Sequence, residues 1–225
     1  VAGFNACDVA GLVLDLRGNG GGSLREAVML SSLFVPQGPV VKIRDVRHEG
    51  SLPIPQGNPV AFRRPLVVLV DRASASASEI VAGALQDQRR AVVMGERSFG
   101  KGSVQSLIGL DNTSAVKLTT ARYYTPAGHS VQEGGIDPDI RVPQLSDPDA
   151  KARAERAVRE SDLRGHLINE ASLNDKDLET DKKDDPRFTV TPEELKKQGV
   201  KDFQLHYAVQ TLIRTATRPA LAAGK

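Results

Sequence analysis

The chain reads as an α/β protein, and three observations lead there. Short apolar runs alternate with helix-type periodicities through the first 145 residues. Glycine-rich turns stand at the strand-to-helix junctions. Composition also changes near residue 145: residues 1–145 hold 17 of the 20 glycines and 28 charged residues, whereas residues 146–225 hold 30 charged residues, 15 of each sign. The second part has little to bury, so the packed core is expected in residues 1–145, with a helical, highly charged extension after it.

The first apolar run contains Val13 and Leu14 and ends at Arg17, ahead of the turn Gly18-Asn19-Gly20-Gly21-Gly22. Leu24, Ala27, Val28, Leu30, Ser31 and Phe34 then recur at three-to-four spacing, which predicts a helix stopped by Pro36 and Gly38. Val40 to Val46 reads as a strand, and His48 to Arg64, with Pro53, Pro55, Gly57 and Pro59, as a loop. Leu66 to Val70 is a buried-strand run, Ser78 to Gln88 a helix and Ala91 to Met94 a second buried strand. A strand–helix–strand unit of this length favours parallel pairing through a right-handed crossover. Ser103 to Leu110 and Val116 to Tyr124 predict two further strands, the second ending at the turn Thr125-Pro126-Ala127-Gly128.

Beyond the core, Ser146 is placed to cap a charged helix running to about Leu167, within a segment 146–171. Residues 172–187 carry a mixed charge run and predict a mobile linker. In the helical segment 188–225, Thr191-Pro192-Glu193-Glu194 has the form of a helix start. Leu205, Ala208, Val209, Leu212 and Ile213 form an apolar stripe that needs either its own core or a partner chain.

Several function classes are excluded early. With 30 Lys+Arg against 28 Asp+Glu, the net charge of +2 provides no broad attraction for nucleic acid or membrane. The apolar runs are far shorter than the ~20 residues of a membrane span. Cys7 is alone, and His48, His129, His166 and His206 lack ligand-like spacing, so neither a disulfide nor a metal or other cofactor is expected. The chain opens at Val1 and enters a strand pattern almost at once, as expected of a piece of a longer protein.

Three motifs remain as carriers of chemistry. The glycine turn 18–22 can turn backbone N–H groups toward an anion at a helix start, or can simply supply positive φ. In Ala73-Ser74-Ala75-Ser76-Ala77-Ser78-Glu79, Ser76 and Glu79 match a capping box, the reading that the pattern alone favours. A serine on a sharp strand-to-helix turn is also where a nucleophile is exposed. Gly95 to Ser103 nearly spells a phosphate-binding loop, but Gly102 stands where its hydroxyl belongs and a strand pattern follows. Lys101 between two glycines makes sense as a desolvated amine able to take a serine proton.

These residues carry a resemblance. Gly11-Leu-Val-Leu-Asp-Leu-Arg-Gly-Asn-Gly-Gly-Gly22, Ser74-Ala-Ser-Ala-Ser-Glu-Ile80 and Phe99-Gly-Lys-Gly-Ser-Val-Gln105 resemble, in order, the core motifs of the carboxyl-terminal processing peptidases, or tail-specific proteases. The likeness continues through Leu118–Pro126 and Gly135–Ile140 and covers nearly all of residues 11–142. It implies a crotonase-like core of ββα units and a serine–lysine dyad, with Ser76 as nucleophile, Lys101 as general base and Gln105 as the residue orienting the lysine. It implies an oxyanion hole from the backbone N–H groups of Ala77 and Gly22, with Gly21 as the alternative.

The resemblance further implies cleavage near the carboxyl ends of proteins with apolar tails, through an acyl-enzyme. Related expectations are an amino-terminal PDZ domain absent from these residues, an adaptor protein, export to the bacterial periplasm, and self-assembly through the C-terminal helices. Asp162–Leu167 and Asp202–Val209 resemble bacterial carboxyl-terminal extensions of the family. The competing readings are an inactive peptide-binding relative of the same fold and a nucleotide-binding enzyme using the Gly95–Ser103 loop.

Overall fold

Leu66–Val70 (β4) is apolar at every position and buried at every position, because it has a core on each face. It is the centre of the fold in the computed structural model, which describes residues 9–54, 60–170 and 187–217. Leu12–Asp15 (β1) pairs with it in parallel on one side and Val92–Gly95 (β5) on the other. The two-residue strand Ile140–Arg141 (β8) extends this parallel sheet beyond β5. The predicted parallel unit Leu66–Met94 is therefore present, with its connecting helix at Ala77–Asp87 (α2).

A second sheet is antiparallel. It has the order β3-β2-β7-β6, formed by Gly38–Arg44 (β2), Glu49–Ile54 (β3), Ser103–Gly109 (β6) and Ala115–Tyr124 (β7). The β6–β7 pairing shifts register between Val104 and Gln105. The chain is thus mixed α/β, with one parallel and one antiparallel sheet.

The two cores follow from the pleat of β4. Leu66, Val68 and Val70 face the larger core with Val40, Val41, Ile80, Val81, Ala84 and Leu85. Phe34 and Phe62 close that core edge-to-face, their ring centroids 6.5 Å apart. Val67 and Leu69 face the opposite way and meet Met94, Val142, Leu195, Phe203, Ala208 and Leu212. Helix α2 is buried from Ala77 through Leu85, which suits its run of small and aliphatic residues. The shorter Leu24–Ser32 (α1) lies beside it, and Phe34 falls just past its end rather than on it.

Several elements differ from the sequence-based expectation. Residues 48–64 are not all loop, because β3 lies within them. This outer strand tolerates Pro53 because it pairs on one side only. The segment 146–171 is not one helix: Ala150–Arg156 (α3) spans 7 residues, and a 3₁₀ turn follows at Glu160–Asp162. Tertiary bonds end the helical path there, since Glu160 N–H donates to Phe99 O at 3.2 Å and the Arg159 guanidinium to Glu133 O at 3.1 Å. The expected linker 172–187 lies outside the described residues except for Arg187.

In the last segment, Thr191 caps Pro192–Lys197 (α4), accepting from Glu194 N–H. Phe203–Thr217 (α5) then docks by Phe203, Ala208 and Leu212 on the parallel sheet, so two of the five residues of the predicted stripe, Ala208 and Leu212, find a core within the chain. Leu205, Val209 and Ile213 stay exposed on its other side.

Leu85, fully buried on α2, reports the integrity of the larger core. Leu85→Ala is expected to lower unfolding free energy by about 2–5 kcal/mol, seen as a lower urea midpoint with unchanged slope.

Candidate active site

Three parallel strands end at the same edge of one sheet, and the residues that follow them are the three sequence motifs. β1 leads into the glycine turn, β4 into the serine motif and β5 into the Lys101 loop. Loops at the carboxyl ends of parallel strands are the usual ground for a site in such sheets.

Ser76 stands immediately before α2 with φ 55° and ψ −115°, a left-handed conformation rare for any residue but glycine. The surrounding bonds impose it. Asp71 Oδ1 accepts from the N–H groups of Gly18, Ala73 and Ser74 at 2.9–3.0 Å. The buried Ser74 hydroxyl donates to Leu16 O at 2.8 Å, and Ala75 N–H donates to Asn19 O at 3.0 Å. The serine turn and the glycine turn are thereby laced into one unit. Phe99 N–H donates to Ser74 O at 2.9 Å and joins the Lys101 loop to the same unit.

The glycine turn is divided between structure and open valence. Gly21 has φ +97°, and a Cβ there would lie 2.6 Å from Ala75 O and 2.8 Å from Ala77 N. Only glycine lets this turn rest on the Ser76–Ala77 backbone. Its N–H is occupied, donating to Asn19 Oδ1 at 2.9 Å. The Gly22 and Ala77 N–H groups, by contrast, have no acceptor among the described residues. Both residues border one recess of about 140 Å³, whose apolar walls include Leu16, Ala27, Leu30 and Val81.

Glu79 binds these parts together. Its side chain is fully buried. Oε2 accepts from Ser76 N–H at 2.7 Å and from Lys101 N–H at 3.0 Å. Oε1 accepts from the Ser98 hydroxyl at 2.5 Å and from Gly100 N–H at 2.7 Å. Two nitrogens on one oxygen are at most about 6 Å apart, so the backbones of Ser76 and Lys101 are neighbours. Burial pushes the Glu79 carboxyl up to about 7, although all four bonds favour its ionised form. The capping-box expectation for Ser76 and Glu79 is met, with the Glu79 carboxylate accepting from Ser76 N–H.

The Lys101 side chain is half-buried and makes no hydrogen bond or ion pair among the described residues. Its loop is fixed from the other side by Gln132 and Glu133, both buried. Gly102 N–H donates to Gln132 Oε1 at 3.2 Å and Glu133 N–H to Gly100 O at 2.8 Å. Glu133 is itself held by Asn169 N–H at 2.7 Å and by His166 Nε2 at 2.5 Å. Gln105 is exposed on β6, just past the register shift, and no hydrogen bond joins it to Lys101.

The loop cannot also cradle a phosphate in this arrangement. The Gly100 and Lys101 N–H groups are spent on Glu79, and β6 rather than a helix follows. Among the described residues no group of three or more His, Cys, Asp or Glu could hold a metal ion, and no helix is long and apolar enough to cross a membrane.

The sequence motifs anticipated Ser76, Lys101, Gly21, Gly22 and Ala77, and the fold brings these to one sheet edge. They did not anticipate Asp71, Ser98, Gln132, Glu133 or Asp202. Asp71 adjoins the serine motif and Ser98 lies within the Gly95–Ser103 loop, neither with a pattern of its own; the other three act across the fold.

A strained serine at a helix start, a lysine loop beside it and a turn with open N–H groups together form the layout of a serine hydrolase site. Comparison with known proteins refines this. The family model for peptidase family S41 matches residues 1–142, and the chain belongs to that family. It is 46% identical over 163 residues to a carboxy-terminal-processing protease of Bartonella bacilliformis, covering 70% of this chain and 36% of that one. It is 45% identical over 134 residues to a chloroplastic C-terminal processing peptidase of Tetradesmus obliquus, covering 60% and 29%. Among solved structures, the photosystem II D1 C-terminal processing protease superposes with a TM-score of 0.60 at 38% identity, covering 72% of this chain and 42% of that one. The chain thus spans about a third of the length of these curated relatives.

Glu79→Gln turns an amide NH₂ toward two donors. It is expected to lower stability by about 1–3 kcal/mol at pH 5, measured by urea unfolding. The Glu79 carboxyl titrates near 7 when folded against 4.5 otherwise, so the folded state binds more protons between those values. The parent's stability advantage over the glutamine variant should therefore be greatest below pH 4.5 and shrink as pH rises from there through 7.

Proposed function

We propose that this chain is the catalytic core of a serine endopeptidase that cleaves proteins near their C-termini through a Ser76–Lys101 dyad. The observation that carries the reading is the shared Glu79 oxygen, which draws the Ser76 turn and the Lys101 loop together beside two unoccupied N–H donors.

In this mechanism the Ser76 hydroxyl attacks the scissile carbonyl carbon as Lys101 Nζ takes its proton. The carbonyl oxygen becomes an oxyanion and is received by the N–H groups of Gly22 and Ala77, aided by the N-terminus of α2. Gly21 is the weaker candidate for this role because its N–H already serves Asn19. Collapse of the tetrahedral adduct breaks the C–N bond, and Lys101 returns the proton to the departing amine. Water, deprotonated by Lys101, then attacks the serine ester, the acyl C–Oγ bond breaks, and Lys101 returns the proton to Ser76 Oγ. Gln105 lies on the strand that follows the base loop and serves as the orienting partner of Lys101 once substrate is bound, since catalytic hydrogen bonds often tighten only in the complex.

The substrate follows from the recess beside the donors. Its wall of Leu16, Ala27, Leu30 and Val81 receives a small apolar side chain on the acyl side of the scissile bond. This fits a protein with an apolar tail.

Ser76→Ala and Lys101→Ala are each expected to reduce kcat on a protein with an unstructured apolar tail by at least about a thousandfold, followed by mass spectrometry of the products. Retained cleavage in Ser76→Ala would sink the assignment, and Ser74 and Ser78 would then be tested. Leu30→Ala should widen the recess and shift kcat/KM toward leucine over alanine at the cleavage position by about tenfold. An unchanged ratio would remove the recess from substrate recognition.

A further inference from the structure

We infer that Asp202, in the C-terminal segment, is a positioning residue for the reaction, holding the oxyanion turn in register through Arg17. The inference rests on the serine endopeptidase reading above and extends its working parts to a residue 126 positions beyond the nucleophile.

Arg17 is the last residue before the glycine turn. Each of its five guanidinium N–H groups has a partner. Nε and Nη2 donate to the Asp15 carboxylate at 2.9 and 2.7 Å, a bond local to the end of β1. Nη1 and Nη2 donate to the two oxygens of Asp202 at 3.0 and 2.7 Å, and Nη1 also to Gln204 Oε1 at 2.9 Å. A bidentate guanidinium–carboxylate pair fixes orientation as well as distance.

Asp202 is in turn rigidly seated. Its Oδ1 accepts from Gln144 Nε2 at 2.8 Å and from Leu205 N–H at 3.0 Å, at the start of α5. Burial opposes its charge, yet the bonds from Arg17, Gln144 and Leu205 hold its carboxyl down to about 2, so the pair is ionised across the working pH range. Phe203 N–H donates to Gln144 Oε1 and Gln204 Nε2 to Val142 O, which fastens this corner to the strand-end segment after β8.

The need for such an anchor lies in the turn itself. Gly20, Gly21 and Gly22 are exposed, and at Gly20 and Gly22 even a Cβ would touch nothing within 4 Å. Three glycines carry a large conformational entropy. The Gly22 N–H keeps its aim only if the residues before it are held. Gly18 and Asn19 are tied to the serine turn, and Arg17 ties the entrance to the body of the fold.

The test uses the full chain with Asp202→Ala, Asp202→Glu and Leu212→Ala, and a chromogenic peptide ending in a small apolar residue. Asp202→Ala should lower kcat at least about tenfold with KM within about twofold, and weaken inhibition by the matching peptide aldehyde in parallel. Asp202→Glu should recover kcat to within about threefold of the parent. Leu212→Ala loosens the packing of the same helix without touching Arg17, so it should lower the unfolding temperature and leave kcat in place. Unchanged kcat in Asp202→Ala, or an equal loss in Leu212→Ala, would overturn the inference. Amide exchange at residues 18–23 decides independently of activity: acceleration in Asp202→Ala but not in Leu212→Ala supports it, and no acceleration refutes it. A parent that lacks Ser76-dependent hydrolysis would refute the protease reading while leaving this exchange result to stand alone.

Discussion

A fully buried carboxylate must have its lone pairs met, and Glu79 meets them with four donors drawn from two different loops. A lone carboxylate in this core would be far too costly to ionise, and the four bonds offset much of that cost. The exchange is geometric. Each donor must come to Glu79, so the Ser76 turn and the Ser98–Lys101 loop lose their freedom to move apart. Ser98 extends the constraint, since its hydroxyl donates to Glu79 and accepts from Ile136 N–H at 2.7 Å. Helix α2, on whose first turn Glu79 sits, is buried along nearly its whole length and supplies the rigid platform. Backbone strain at Ser76 is sustained because these contacts overdetermine it.

Parallel pairing explains why three motifs far apart in the chain converge. The register of β1 with β4 places Asp15 opposite Leu69, and that of β4 with β5 places Val70 opposite Gly95. Each strand therefore ends at the same edge, and each next loop begins there. An antiparallel arrangement would send alternate loops to opposite ends of the sheet. The open N–H groups of Gly22 and Ala77 owe their juxtaposition to this pairing, since Ala77 comes after β4 and Gly22 after β1. The lysine arrives after β5, and β6 leads away from it into the second sheet.

How much of this was legible depended on whether the cause was local. β4 was readable to the residue because five consecutive apolar side chains with a core on both faces leave no alternative. Ser76, Lys101 and the glycine turn could be singled out because each lies in a short motif, and the parallel sheet brings those motifs to one edge. β3 was not, since Pro53 and the prolines that follow in sequence argue for a loop, and only its position at the sheet edge makes Pro53 acceptable. The helix expected from Ser146 was too long because local charge and capping cannot register the pull of Phe99 and Glu133 on residues 159–160. Gln132 and Glu133, which brace the lysine loop, carry no local signal; their partners are about 30 residues away.

The compositional boundary near residue 145 also takes on a different meaning. It separates sparsely from densely charged sequence, not core from appendage. Because β4 points Val67 and Leu69 away from α2, the sheet has a second apolar face that must be covered. Leu195, Phe203, Ala208 and Leu212 cover it, and Phe188 adds edge-to-face contacts to Phe203 and Tyr207 at 5.8 and 5.1 Å. Without that cover the strand that positions the serine turn would be solvated on one side. Few as they are, these apolar residues complete the sheet beneath the three loops. The same segment brings Asp202 to Arg17, so one docking event both closes the second core and fixes the entrance to the glycine turn. The C-terminal segment is thus part of the structural unit that makes the site.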